Sequence, residues 1–368
     1  MEVFFSLAKV VVAFVIILQL TLILLWVERK GSALIQDRVG ANRSNLFGGL
    51  LPFNLGIVNT WMADPLKLFH KEDIVPADAD RFLHWLAPFV GIVPLFLTFA
   101  VIPFGDVLMV WGMTIDLVAA PIPASVLFVL AMASLAVYGV VIGGWASNSR
   151  WAFLGGVRGT AQMISYELAL GLAIVSVVLT YGSLDLQTIA RAQGALMWGV
   201  VPAWGVFYQP VALVLLFIAG MAESKRAPFD LPEAESELVA GFFTEYSGSK
   251  QSVFMMADFV EVGIVAALVT TLFFGGWQVP WLGREGFHFP GGFDIALPSL
   301  VVTLLQIGAF LVKLLLFCWL QILVRWSLPR MRYDHLMAFG WKRLLPLGLV
   351  NLVVTAVCVV AFEGWTVR

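Results

Sequence analysis

Charge is what this sequence has least of. Asp, Glu, Lys and Arg make up 12 % of its 368 residues, where soluble domains carry about 25 %. With 60 % hydrophobic residues and a mean hydropathy of +0.92, an ordinary soluble domain is excluded and an integral membrane protein is expected. Cysteine is nearly absent: Cys318 and Cys358 are the only two, each inside an apolar run, with no CxxC and no clustered histidine. A structural zinc or a self-ligated iron–sulfur cluster is thereby excluded. The four histidines, His70, His84, His288 and His335, never approach HExxH spacing, and no glycine-rich phosphate loop ends in Lys. A net charge of -2 gives no basic field for nucleic acid.

What is there is a series of long apolar runs. A bilayer core needs about 20 apolar helical residues, and eight runs approach that length, near 3–27, 84–104, 118–142, 162–181, 207–222, 253–276, 300–324 and 344–362. The expectation is an all-α polytopic membrane protein, residues 1–368 forming one membrane domain. The first run is too long for the core of a secretory signal and lacks a small-residue cleavage site, so it reads as a retained span. Of 22 Lys and Arg, 17 fall in the odd-numbered loops and 2 in the even ones. The positive-inside rule then puts the odd loops in the cytoplasm and both termini outside. Two cytoplasmic loops, 28–83 and 223–252, exceed ordinary connections. Within the first, Leu51, Leu55, Val58, Met62, Leu66 and Phe69 fall on one helical stripe and Thr60, Asp64, Lys67 and Lys71 opposite. That pattern predicts an amphipathic helix, bent at Pro65, lying in the interface or packed on the protein's own spans.

A charge at mid-bilayer costs about 2.5–3.5 kcal/mol, which makes each one a functional candidate. Glu167 lies in the fourth run, Lys313 in the middle of the seventh, and Asp258 and Glu261 enter the sixth. Mutual pairing inside the bundle is the structural alternative. The densest signal is 223–245, where Glu223, Asp230, Glu233, Glu235, Glu237 and Glu245 accompany only Lys225 and Arg226. Repulsion and burial would raise some of their pKa values toward neutrality, as a proton relay requires. A capping box, with Asp230 as cap, Pro232 in the first turn and Glu233 three residues on, would explain two of the six. Basic residues flank the spans: Arg29, Lys30, Arg38 and Arg43 follow the first, and Arg325, Arg330 and Arg332 the seventh. An apolar cavity with a few charges at its mouth suits a long apolar ligand with a polar head, and a quinone is one.

The stretches WVERKGSALIQDRVGANR, MADPLKLFHKEDIVP, RGTAQMISYELALGLAI, AESKRAPFDLPEAESELVAGFFTEYSG, TTLFFGGW and LPRMRYDHLMAFGWKRLLP resemble the H-subunit family of bacterial proton-pumping NADH:quinone oxidoreductase, respiratory complex I. Its members are counterparts of the first mitochondrially encoded core membrane subunit. The resemblance covers nearly the whole chain. It implies eight spans plus an amphipathic interfacial helix, a place in the bacterial inner membrane, and a role in walling the quinone chamber of a proton translocase.

By that resemblance Glu28, Arg29, Arg38, Asp64, Arg325 and Arg330 contact quinone, ubiquinone or menaquinone. Glu167, Glu223, Asp230, Glu233, Glu235, Glu237, Glu245 and Asp258 form the acidic path toward the pumps. Lys313 takes the place of a family lysine, is counted with this proton path and is expected to meet a buried carboxylate. The chain itself binds no cofactor. Iron–sulfur clusters and FMN belong to partner subunits, and its partners are the peripheral quinone-site subunits and small membrane subunits. One departure concerns the sixth run, where the family commonly reads AEY and then Asn two residues on; here Ala257-Asp258-Phe259 precede Glu261. The alternatives are the anchor of an energy-converting hydrogenase or a stand-alone cation transporter; a transporter would be expected to show repeats, which this sequence lacks.

Overall fold

The computed structural model describes residues 2–40, 56–110, 113–197, 200–289 and 294–361; of these, the side chains of 2–7, 56–62, 110, 113, 235 and 236 are outside the description. Seven helices in it are long and apolar enough to cross a membrane. They are α1 (Glu2–Ile35), α3 (Arg81–Thr98, prolonged by a 3-10 turn to Val101), α4 (Ser125–Ala146), α5 (Arg150–Tyr181), α10 (Gly248–Phe273), α11 (Ser299–Ser327) and the joined pair α12 (Tyr333–Phe339) and α13 (Leu345–Ala361). Between them lie α2 (Gly56–His70), α6 (Leu186–Ala192), α7 (Gly205–Tyr208), α8 (Pro210–Glu223) and α9 (Glu235–Leu238).

Several boundaries depart from the apolar runs, each for a physical reason. The helix α1 continues through Glu28, Arg29 and Lys30, because these are good helix formers and a helix need not stop where the apolar run does. Likewise α5 starts at Arg150, so Glu167 sits mid-helix. The third run loses its first turns, because Pro121 and Pro123 keep the chain out of the helix until Ser125. The fifth run yields only a 14-residue helix, α8, whose Ala212, Leu216, Ala219 and Ala222 are wholly buried. It is separated from α7 by Gln209, with φ -133° and ψ 55°. The helix α2 runs through Pro65, with Leu66 and Phe69 exposed; Leu51 and Leu55 of the predicted stripe, and Arg43, lie outside the described residues.

Among the described residues three two-stranded antiparallel sheets, which no sequence pattern announced, join the helices: β1 (Val107–Val110) with β2 (Met113–Asp116) between α3 and α4, β3 (Leu196–Met197) with β4 (Val201–Pro202) between α6 and α7, and β5 (Gly286–His288) with β6 (Asp294–Ala296) between α10 and α11. In the first, Val107 stands opposite Asp116 and Val110 opposite Met113.

The core extends from Ile17 through Tyr166, Leu216 and Phe273 to Phe310 and Leu344, with α10 its most enclosed helix. Close approach relies on small residues, as expected between membrane helices: a Cβ on Gly139 of α4 would lie 2.5 Å from the Cα of Gly91 on α3. A single π turn, Gly340–Leu344, joins α12 to α13. It packs against Tyr166, whose hydroxyl donates to the Leu336 carbonyl at 2.9 Å.

Candidate functional site

The charged residues converge where α1, α10 and α11 meet the segment 224–247. Glu28, on the last turns of α1, accepts from Arg325 of α11 at 2.5 Å and from Arg226 at 3.1 Å. The guanidinium of Arg226 lies over the ring of Phe259, 4.1 Å from its centre. Together with Val262, Gln321 and Ile322 these residues line a small pocket. Burial works against the charge of Arg226, but Glu28, Asp258, Glu233 and Glu261 outweigh it and raise its pKa.

One residue earlier, Lys225 is buried in the left-handed region at φ +53°, a strained placement for a non-glycine residue. Its ammonium sits 2.9 Å from Asp258 and 3.4 Å from Glu261. The two acids share a helix face because they stand three residues apart. Burial again opposes the charge on Lys225, and the two carboxylates reverse that, so its pKa is raised. Glu233 interacts electrostatically with Asp258, and one of its carboxylate oxygens is buried without a hydrogen-bond partner. Loss of water first, and then the Asp258 charge, push its pKa well above the usual carboxylate range, against the pull of Arg226 and Lys225. Glu223, buried at the end of α8, interacts electrostatically with both Glu261 and Glu167. Glu167 in turn accepts from the hydroxyl of Ser134 on α4. A run of interacting groups thus leads from Glu28 and Arg226 through Glu233, Asp258, Lys225, Glu261 and Glu223 to Glu167.

Other predicted residues join at the margin or not at all. Asp230 receives both Arg330 nitrogens at 2.7 Å. This is a correction to the capping box: no helix begins at 231, Glu235–Leu238 has Ala234 at its cap position, and the bidentate ion pair claims the carboxylate instead. Arg29 pairs with Asp64 of α2 at 2.5 Å in a more exposed setting. Arg38 is exposed and donates to Gln36, apart from the cluster. Glu237 pairs with Arg158 near the surface, and Glu245 contributes its carbonyl to His84. The side chain of Glu235 lies outside the described residues.

The expectation of a carboxylate beside Lys313 is also corrected. Its ammonium donates to the carbonyls of Phe274, Gly276 and Gln278 at 2.7–3.1 Å and faces the Trp204 ring at 4.9 Å. Those carbonyls belong to the turn that follows α10, whose buried backbone acceptors require a donor. Phe274 is 13 residues beyond Glu261, about 20 Å at 1.5 Å per residue, so Lys313 is remote from the acids. Replacing Lys313 by Met should therefore destabilise the assembled protein by about 1–3 kcal/mol, read as a lower melting temperature. Unchanged melting would contradict this capping role.

Sequence reasoning left Arg226, Lys225, Ser134, Phe259 and Gln321 without assigned roles. For the two cations a signal existed: they are the only positive charges in 223–245 and adjoin a predicted span. For the others no local pattern marks them.

The fold is that of a polytopic helical membrane protein with a buried, titratable charge network at one end of its bundle. Residues 8–356 match the NADH dehydrogenase family. The chain is 44 % identical over 355 residues to the H-subunit, numbered 1, of the NADH-quinone oxidoreductase of Geobacter metallireducens, covering 96 % of each chain. It is 42 % identical to subunit 8 of the same oxidoreductase from Rhodothermus marinus, and 38 % to the H-subunit numbered 1 of Cytophaga hutchinsonii, covering 96 % of this chain in both and 97 % and 96 % of theirs. The chain belongs to this family of complex I membrane subunits, and is one part of an enzyme complex.

Proposed function

We propose that this chain walls the quinone chamber of complex I and passes the charge change of quinone reduction to proton-translocating subunits through its buried acids. The observation that carries the reading is the run of paired and electrostatically interacting charges from Glu28, Arg226 and Arg325 to Glu167. Quinone is the substrate, with Glu28, Arg29, Arg38, Asp64, Arg325 and Arg330 facing its passage and Arg226 added from its place beside Glu28. Electrons come from iron–sulfur clusters and FMN held by partner subunits.

The mechanism is electrostatic. A quinone taking up electrons also demands protons, and a nearby acid that supplies one becomes negative. Its neighbours then hold their own protons more tightly, so the disturbance travels along Glu233, Asp258, Glu261, Glu223 and Glu167. Glu237, Glu245 and Glu235 belong to the rim of this path.

The same reading gives eight crossings, with α7 and α8 together as the fifth. A short, enclosed helix broken at Gln209 is tolerated there because backbone irregularity is covered by protein rather than lipid. Odd loops face the cytoplasm, both termini face the periplasm, and α2 lies in the interface with Leu66 and Phe69 toward lipid. Peripheral subunits cover the odd loops, and small membrane subunits flank the bundle.

Purification of the tagged chain in mild detergent, with mass spectrometry of what accompanies it, tests the assignment. A flavin-bearing NADH-oxidising subunit, peripheral quinone-site subunits and inhibitor-sensitive NADH:quinone reduction are expected. Recovery with a nickel–iron hydrogenase, or of the chain alone with cation transport in liposomes, would overturn it.

A further inference from the structure

The segment that follows α2 is fastened to the head of α10 by an arrangement the charge network does not use. Ser247 occupies the cap position of α10, with φ -135° and ψ 170°, yet makes no capping bond. A serine there ordinarily accepts from the second or third amide of its helix. Here the hydroxyl donates to the Glu72 carbonyl at 3.2 Å and accepts from the Ile74 amide at 2.8 Å. Lys250 stands in the first turn of α10, where the helix dipole disfavours a cation, and pairs with Asp73 at 2.9 Å.

The same ammonium lies 3.4 Å from Nδ1 of the buried His84. An ammonium only donates, so Nδ1 is the acceptor and Nε2 carries the proton, directed at the Glu245 carbonyl 3.3 Å away. The imidazole is stacked on Tyr246 at 4.0 Å and 4°. Gly248, at φ +55°, lets the two backbones meet: a Cβ there would stand 3.1 Å from the Lys71 carbonyl and 3.3 Å from that of Glu72. Apolar burial does not hold this segment, since Phe69 is 75 % and Ile74 60 % exposed. Polar contacts do.

We propose that Asp73, Lys250, His84 and Ser247 form a latch that locks α2 to α10, making Lys250 and His84 positioning residues for quinone binding. The inference rests on the reading of this chain as the wall of the quinone chamber. The helix α2 is tied at its middle to α1 through Asp64 and Arg29, and at its end to α10 through the latch. Asp258 and Glu261 follow on the same α10. A displacement of α2 as quinone passes is thus delivered to the helix that carries two acids of the relay. When the latch is broken, only a fraction of the molecules holds the binding arrangement, and the apparent affinity for quinone falls by that fraction.

The test uses the whole complex in proteoliposomes, with Lys250→Met, Asp73→Asn and the charge exchange Lys250→Asp with Asp73→Lys. The quinone KM should rise about two- to fivefold in each single variant, as for loss of one partly exposed ion pair. The maximal rate should stay within about twofold, because the latch positions and does not react. The exchange variant should return KM toward the wild-type value. An unchanged KM in both single variants, or an exchange variant no better than either, overturns the latch. Loss of assembly in both single variants also overturns it, since the pair would then serve folding. Wild-type complex that fails to reduce quinone would instead overturn the chamber reading.

Discussion

Replacing Lys225 by Met should cost the assembled protein about 3–5 kcal/mol, the largest single effect expected here, because it strands two buried carboxylates without their counter-charge. Asp258 and Glu261 are 5 % and 7 % exposed and lie within 3.4 Å of the ammonium. The loss would be read as lower complex yield and a depressed melting temperature. Adding Asp258→Asn should recover part of it, since it removes one of the two charges left unpaired. The interaction energy of that double-mutant cycle separates pairing from side-chain volume. A double variant as unstable as Lys225→Met alone would show that packing against Phe242, 5.9 Å from the ammonium, matters more than charge.

Glu233→Gln should do the opposite: assembly intact, coupled turnover lost by roughly 10²-fold, the low end of what a positioned proton-transferring group contributes. The amide keeps the volume of the side chain but cannot ionise. Stability should respond to pH as well. The pKa of Glu233 in the fold lies above the value of about 4.3 for a free glutamate. The folded protein therefore holds a proton that the unfolded chain has released. The stability linked to that proton is fully present below about pH 4.3 and is lost as pH rises toward the folded pKa. The variant carries the neutral form throughout, so its melting temperature should exceed that of the wild type at alkaline pH and converge with it at acid pH. Parallel melting curves across pH would contradict a raised pKa.

The apolar runs were legible because lipid imposes a length on them, and α3, α10 and α11 fall within several residues of where hydropathy puts them. Helix ends were less legible where charge enters. Glu28 and Arg29 belong to a loop by hydropathy but to α1 by backbone, and that extra length is what carries Glu28 to Arg325. The acidic segment was legible as a cluster, since six acids in so short a stretch have no bland explanation. Its local structure was not: Asp230 and Glu233 match a capping box, and a distant arginine claims Asp230. Lys313 shows the same limit from the other side. A lone cation in a span asks for an acceptor, but sequence does not say that three carbonyls beyond α10 will serve rather than a carboxylate. Ser247 likewise reads as an ordinary helix cap until Glu72 and Ile74 are seen to occupy its hydroxyl.

Whether this series of acids carries the coupling is decided at its far end. Glu167 reaches Ser134 on α4 and interacts with Glu223, but takes no part in the contacts around Glu28. In proteoliposomes holding the complete complex with Glu167→Gln, protons translocated per NADH oxidised are measured alongside inhibitor-sensitive quinone reduction in uncoupled conditions. The account predicts near-normal uncoupled quinone reduction with translocation cut to a small fraction of wild type. A wild-type proton-to-electron ratio in that variant would contradict it.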